Sequence, residues 1–156
     1  MDAVYAGSFD CYTNGHHDIV RKASRLFDRL HIVIAVNTAK SRTYPAERMA
    51  EAICAVLARD NITNCTVDVC TTLVAEYCSE NGIDYFVRGL RNNLDYNYEE
   101  NVAEVNKLVI PSMETIYFRS DTPAISSSMV KELYFFGKDV SSYVPPEVWQ
   151  CICEAE

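Results

Sequence analysis

The sequence predicts a single α/β domain, residues 1–156, built on a doubly wound parallel sheet with helices on both faces. Short β-branched and apolar runs alternate about five times with longer segments in which apolar residues recur at spacings of three and four. None of the short runs shows a simple polar and apolar alternation, which indicates strands covered on both faces. Right-handed crossovers between about five parallel strands give a Rossmann-like fold, in which ligands bind beyond the carboxyl ends of the strands.

In chain order, strands are predicted at 3–6, 31–36, 65–69, 85–87 and 115–118. Helices are predicted at 17–27, 46–58, 73–80, 96–109 and 127–136, and a last helix follows the pair Pro145-Pro146. Residues 37–45 show neither pattern and form a candidate active-site loop. An aromatic group has helical spacing, which is more typical of packing than of ligand binding; it comprises Tyr96, Tyr98, Tyr134, Phe135 and Phe136.

Composition limits the function classes. The chain has 156 residues, of which 49% are hydrophobic and 23% are charged, and its net charge of -8 argues against binding nucleic acid through a broad basic face. No apolar run is long enough to span a bilayer and no signal peptide pattern is present, so we expect a soluble, cytoplasmic protein with no membrane partner. The seven cysteines lack zinc-site spacing and are expected to be reduced thiols.

The first β-to-α connection, residues 7–18, is suited to phosphate binding. It contains Gly7, Gly15, hydroxyl side chains and His16, just before a predicted helix. Glycine lets the backbone approach a ligand closely, and the free N–H groups at a helix start attract an anion. A turn that needs unusual dihedral angles, with a histidine capping the helix, would explain the same residues without a ligand. The segment matches neither the P-loop nor the dinucleotide-binding pattern.

Two further segments carry groups that bind phosphate. Arg88 and Arg91 follow the fourth predicted strand, where planar, permanently charged guanidinium groups can hold separate phosphates. Ser126, Ser127 and Ser128 precede a predicted helix and offer hydroxyls and free N–H groups. A solvated arginine pair and a simple helix cap are the alternatives, although one serine suffices for a cap.

These motifs resemble a known family. The run Gly-Ser-Phe-Asp-x-x-Thr-x-Gly-His resembles the signature of the nucleotidyltransferase superfamily. Arg-Gly-Leu-Arg at 88–91, Asp-Tyr-Asn-Tyr-Glu at 95–99 and Ile-Ser-Ser-Ser-Met-Val-Lys-Glu at 125–132 are together similar to the bacterial phosphopantetheine adenylyltransferases over nearly the whole chain. The resemblance implies transfer of the adenylyl group of ATP to 4′-phosphopantetheine, with dephospho-coenzyme A and pyrophosphate as products.

The resemblance also implies roles for individual residues. The catalytic set is His16, Lys40, Arg91 and Ser8. ATP would contact Ser8, Phe9, His16, Gly89, Leu90, Arg91, Glu99, Thr122, Pro123, Ala124, Ile125, Ser126, Ser127 and Ser128, whereas phosphopantetheine would contact Ser8, Lys40, Val74 and Arg88. Mg²⁺ would accompany ATP without a protein metal ligand, coenzyme A would bind as a feedback ligand, and the assembly would be a homohexamer.

Three departures from the family pattern stand out. Ser8 replaces the usual Thr and keeps the hydroxyl, while Cys11 replaces the usual Pro and restores a backbone N–H. The segment 40–48 is about one residue shorter than in familiar members, so Lys40 is the assignment most affected. The alternatives are a related nucleotidyltransferase with another acceptor and a non-catalytic sensor of coenzyme A or nucleotide.

Overall fold

A computed structural model describes residues 1–155, apart from the side chains of Asn93 and Leu94. The strands are β1 (Asp2–Gly7), β2 (Arg29–Ala35), β3 (Cys65–Cys70), β4 (Tyr85–Leu90) and β5 (Glu114–Arg119). The helices are α1 (Asn14–Ser24), α2 (Ala46–Arg59), α3 (Val74–Asn81), α4 (Asn93–Val109), α5 (Ser127–Phe135) and α6 (Pro146–Glu154), with a short 3₁₀ helix at Ser141–Tyr143.

The strands form one parallel sheet in the order β3-β2-β1-β4-β5. The chain therefore builds outward from β1 to β3, then crosses to the other side of β1 and adds β4 and β5. The strand order therefore reverses between β1 and β4. In a doubly wound sheet, the crevice that binds ligands lies at this point, beyond the carboxyl ends of the two strands. The predicted fold class, with its parallel strands, is confirmed.

Two hydrophobic cores cover the two faces of the sheet. In β1, Tyr5 belongs to the larger core, which also takes residues of α1, α2, α5 and α6, whereas Val4 belongs to the smaller core with Cys78 of α3. Successive side chains of a strand point to opposite faces, so both sets are apolar when both faces are covered. The prediction of two-sided burial is therefore confirmed.

Some element boundaries differ from the prediction. β4 continues to Leu90, so Arg88 lies inside the strand and only Arg91 follows it. α1 begins at Asn14, because Thr13 and His16 cap its first turn reciprocally and start the helix before residue 17. Within residues 1–155, no helix is both long and apolar enough to cross a membrane.

The aromatic group predicted to pack is packed only in part: Tyr134 contacts the larger core, whereas other members are largely exposed. Tyr98 is 64% exposed, and Phe135 and Phe136 are 82% and 67% exposed. Helical spacing places side chains on one stripe, but it does not say what covers that stripe. The packing interpretation is wrong for these three residues within the chain itself.

Candidate active site

A cavity of about 310 Å³ lies at the carboxyl ends of β1 and β4, beside the segment that follows β5. This is the edge at which the order of strands reverses. Many of the residues assigned from the sequence line this one cavity: Ser8, Phe9, His16, Arg88, Gly89, Arg91, Glu99, Thr122, Ile125, Ser126, Ser127 and Ser128. The fold thus brings the three separate motifs together.

His16 lies in the first turn of α1, and its tautomer follows from its neighbours. The backbone N–H of Thr13 donates to Nδ1 of His16 at 3.0 Å. Because a backbone N–H can only donate, Nδ1 has no proton, and the neutral imidazole carries its proton on Nε2. Burial lowers the pKa of His16 to about 4, and the nearby positive charges of Arg91 and Arg88 act in the same direction. His16 therefore offers a neutral Nε2–H donor at pH 7.

Aromatic rings fix the plane of the His16 imidazole. Tyr12 stacks on it with ring centroids 5.7 Å apart and an interplanar angle of 28°, and Phe9 meets it edge-on at 5.0 Å and 90°. Phe9 has a φ of 41°, an uncommon value for a residue with a β-carbon. Gly7 permits this turn, since a β-carbon there would lie 3.3 Å from Cζ of Phe9.

The two arginines are paired with acidic residues of α4. Arg88 donates to both carboxylate oxygens of Glu99, at 2.5 Å from Nε and 2.7 Å from Nη2, and its Nη1 donates to the carbonyl of Ala6 at 2.7 Å. Arg91 donates to Asp95 from Nε at 2.9 Å and from Nη2 at 3.2 Å. These pairs fix the guanidinium groups in the cavity wall. Sequence reasoning included Asp95 in the motif at 95–99 but gave it no role as the partner of Arg91.

Hydroxyl groups of residues 126–128 also line the cavity. Ser126 caps α5 by accepting the Met129 N–H at 3.1 Å, and Ser127 Oγ donates to the carbonyl of Cys11 at 2.6 Å. The second bond ties the first turn of α5 to the loop after β1. The first turns of α1 and α5 both border the cavity, so two helix N-termini present their positive ends to it.

The loop 37–45 reaches the site through Arg42, a residue that sequence reasoning missed. Arg42 Nη1 donates to the carbonyl of Ser8 at 2.6 Å, and Arg42 Nε donates to the carbonyl of Tyr44 at 3.0 Å. Asp10 accepts the backbone N–H groups of Thr43 and Tyr44 at 2.9 and 2.8 Å. The end of this loop is therefore docked on the Ser8–Asp10 segment. The sequence did carry a signal for this contact, because Arg42 is a second basic residue two positions after Lys40.

Comparison with known proteins agrees with this geometry. Residues 4–133 match the model of a family described as cytidylyltransferase-like. A phosphopantetheine adenylyltransferase of Lactobacillus johnsonii is 40% identical over 154 residues, covering 95% of this chain and 90% of the relative. The enzyme of the same name from Thermotoga neapolitana is 37% identical over 156 residues, covering 99% and 96%.

The chain belongs to the phosphopantetheine adenylyltransferases. A third member of this family, from Shouchella clausii, is 36% identical and covers 97% of this chain and 96% of its own length. Among solved structures, a Vibrio parahaemolyticus protein assigned as a nicotinate-nucleotide adenylyltransferase superposes with a TM-score of 0.73 at 16% identity, covering 98% of this chain and 91% of that one. This likeness shows the shared fold.

Some residues assigned from the phosphopantetheine adenylyltransferase resemblance lie outside the cavity lining: Lys40, Val74, Leu90, Pro123 and Ala124. Lys40 is exposed in the loop 37–45, and Val74 begins α3 and packs partly against the smaller core. Their roles stay predictions.

Proposed function

We propose that the chain transfers the adenylyl group of ATP to 4′-phosphopantetheine, giving dephospho-coenzyme A and pyrophosphate. The observation that carries the proposal is the neutral Nε2–H donor of His16, held in one cavity with two arginines and two helix N-termini. Such a site suits two phosphorylated substrates, because it combines a directional donor with separate positive groups.

The reaction is a direct in-line displacement at the α-phosphorus of ATP. A phosphate oxygen of phosphopantetheine forms the new P–O bond, and the bond from the α-phosphorus to the bridging oxygen of pyrophosphate breaks. No protein nucleophile is required, so catalysis comes from positioning and from stabilising charge on the phosphorus oxygens. His16 donates from Nε2 to the α-phosphate, Arg91 holds the polyphosphate, and Ser8 and Lys40 orient the incoming phosphate.

Mg²⁺ enters as part of the ATP substrate. The carboxylates in the cavity lining are Asp95 and Glu99, and both are paired with arginines. Within residues 1–155, no group of three or more His, Cys, Asp or Glu side chains could hold a metal ion. An ion carried by phosphate oxygens and water neutralises the polyphosphate without a protein cage.

Phosphopantetheine occupies the β1 and β4 side of the site. Arg88 binds its phosphate, and the amino-terminal end of α3, with Val74 as its first residue, receives the pantetheine arm. Leu73, just before α3, is 63% exposed and offers apolar surface to that arm. Coenzyme A, which contains the same arm and an adenylate, is a feedback ligand of the same cavity.

Assembly and location extend the proposal. The chain forms a homohexamer that covers apolar side chains of α4 and α5, among them Leu108 at 84% exposed and Phe135 at 82%. It works in the cytoplasm, where its seven free thiols stay reduced.

The decisive experiment is magnesium-dependent release of pyrophosphate from the purified protein. ATP is supplied with and without 4′-phosphopantetheine, and CTP and nicotinamide mononucleotide serve as the alternative nucleotide and acceptor. Release that needs ATP and phosphopantetheine together supports the proposal. Release only with another nucleotide or acceptor overturns the substrates, and tight coenzyme A binding without any release indicates a sensor.

A further inference from the structure

A line of polar side chains runs from the surface to the back of His16. The hydroxyl of Tyr12 lies 3.0 Å from Nδ1 of His17, and Nε2 of His17 lies 2.7 Å from Oδ2 of Asp60, just after α2. Tyr12 has no exposed surface and His17 is 6% exposed. None of the three residues lines the cavity.

The direction of these hydrogen bonds follows from their ends. The carboxylate of Asp60 can only accept, so His17 carries a proton on Nε2. Burial lowers the pKa of His17 despite the opposing effect of Asp60, so the ring is neutral at pH 7 and Nδ1 is unprotonated. The hydroxyl of Tyr12 therefore donates to Nδ1, and this bond satisfies a hydroxyl that is otherwise buried in the larger core.

Tyr12 connects this line to the active site through its ring. The ring stacks on the imidazole of His16 at 5.7 Å, and Phe9 packs edge-on against both rings, at 5.7 Å from Tyr12 and 5.0 Å from His16. A ring anchored at its hydroxyl cannot rotate or slide away from the imidazole. The imidazole of His16 is thus held between the ring of Tyr12, which lies outside the cavity lining, and the ring of Phe9, which belongs to it.

We propose that Tyr12, His17 and Asp60 are positioning residues, which hold the His16 imidazole in the plane that directs Nε2–H into the cavity. The effect on turnover rests on the proposed function, whereas the effect on the His16 ring does not. The residues act through His16 and make no contact with the substrates.

Tyr12→Phe is the first test, because it removes one oxygen atom and keeps the ring. We expect kcat to fall about 10-fold while KM for ATP changes less than about 2-fold, since a misaimed donor costs mostly transition-state stabilisation. Tyr77→Phe is the matched control. Its hydroxyl also lies 3.0 Å from a histidine Nδ1, that of His31, and donates to Asp68 at 2.7 Å, but Tyr77 packs against the smaller core. It should lower stability without lowering kcat.

Two replacements of His17 separate positioning from packing. The side-chain oxygen of Asn can stand where Nδ1 stands and accept the Tyr12 hydroxyl, whereas Gln reaches Asp60 and leaves that hydroxyl without its acceptor. We expect His17→Asn to retain more of kcat than His17→Gln. The opposite order, or equal values, would contradict the proposal.

A measurement without substrates keeps the test independent of activity. Nitrogen-15 spectra of the imidazole rings report the tautomer and environment of His16. Tyr12→Phe should shift or broaden the His16 Nδ1 and Nε2 signals, and Tyr77→Phe should leave them unchanged. Wild-type protein without pyrophosphate release would refute the proposed function alone. Unchanged His16 signals in Tyr12→Phe, or wild-type kcat in an active enzyme, would refute the positioning role.

Discussion

Thr13 and His16 hold each other at the start of α1. The Thr13 N–H donates to His16 Nδ1 at 3.0 Å, and Thr13 Oγ1 accepts the His16 N–H at 3.4 Å. One capping box therefore starts a helix and also leaves the proton of the imidazole on the nitrogen that faces away from the cap. Helix capping and choice of tautomer depend on the same pair of residues.

Replacement of His16 should affect turnover more than binding. We expect His16→Ala to lower kcat at least about 100-fold, the cost of losing one donor to the developing charge, with a much smaller change in KM for ATP. Steady-state pyrophosphate release measures both. His16→Gln, whose amide can place a donor near Nε2, serves as the control and should retain more activity. Equal loss in both variants would argue against hydrogen-bond donation.

Acid should destabilise the fold in a defined window. The folded pKa of His16, about 4, lies below the ordinary value of 6.5, so the unfolded chain binds the proton first as pH falls. The free energy of unfolding should therefore decrease between pH 6.5 and 4, by up to about 3 kcal/mol from this residue. Urea unfolding at pH 7 and pH 5 tests this, with His16→Gln expected to show a weaker dependence. The lowered pKa values of His17 and His31 add to the trend.

We expect kcat not to change through protonation of His16 between pH 7 and pH 6. Because His16 is already neutral there, kcat should show no titration of this residue near 6.5. The profile of kcat against pH, at saturating substrates, measures it. A fall centred near 6.5 that disappears in His16→Gln would mean that the ring titrates normally.

Arg88→Ala should raise KM for phosphopantetheine by about 10-fold or more and should raise KM for ATP less. The substitution removes a charged donor and leaves Glu99 unpaired. The double variant Arg88→Ala with Glu99→Ala removes the stranded carboxylate. It should be more stable than Arg88→Ala alone, because no unpaired carboxylate is left buried. A larger effect of Arg88→Ala on ATP would reverse the assignment of the two arginines.

The two basic residues of the loop 37–45 should behave differently. Arg42→Ala should lower stability by about 1–2 kcal/mol, because charge-assisted bonds to the carbonyls of Ser8 and Tyr44 are lost, and should lower kcat as the loop detaches. Lys40→Ala removes an exposed side chain and should leave thermal stability unchanged while raising KM for phosphopantetheine. Loss of stability in Lys40→Ala but not in Arg42→Ala would contradict this division.

Hydrophobic patterning predicted the fold because strands covered on both faces and amphipathic helices leave distinct periods in a sequence. It could not predict the exact end of β4, because residues 88–90 continue the strand by pairing with β5, and the partners of the Arg88 guanidinium group, Glu99 and the carbonyl of Ala6, come from distant segments. Resemblance to the family motifs identified most of the residues that line the cavity. Asp95 stood in the motif at 95–99 without an assigned role, and Arg42 stood in no motif, because their contacts with Arg91 and with the carbonyl of Ser8 are not visible in the linear pattern.

The bond between Ser127 and Cys11 has a consequence for synthesis of the chain. It joins the loop after β1 to the first turn of α5, 116 residues later in the chain, and both segments contribute residues to the cavity lining. A growing polypeptide that ends before Ser127 contains β1 to β5 but lacks this part of the cavity lining. Under the proposed function, we expect such an incomplete chain to bind ATP more weakly than the full chain.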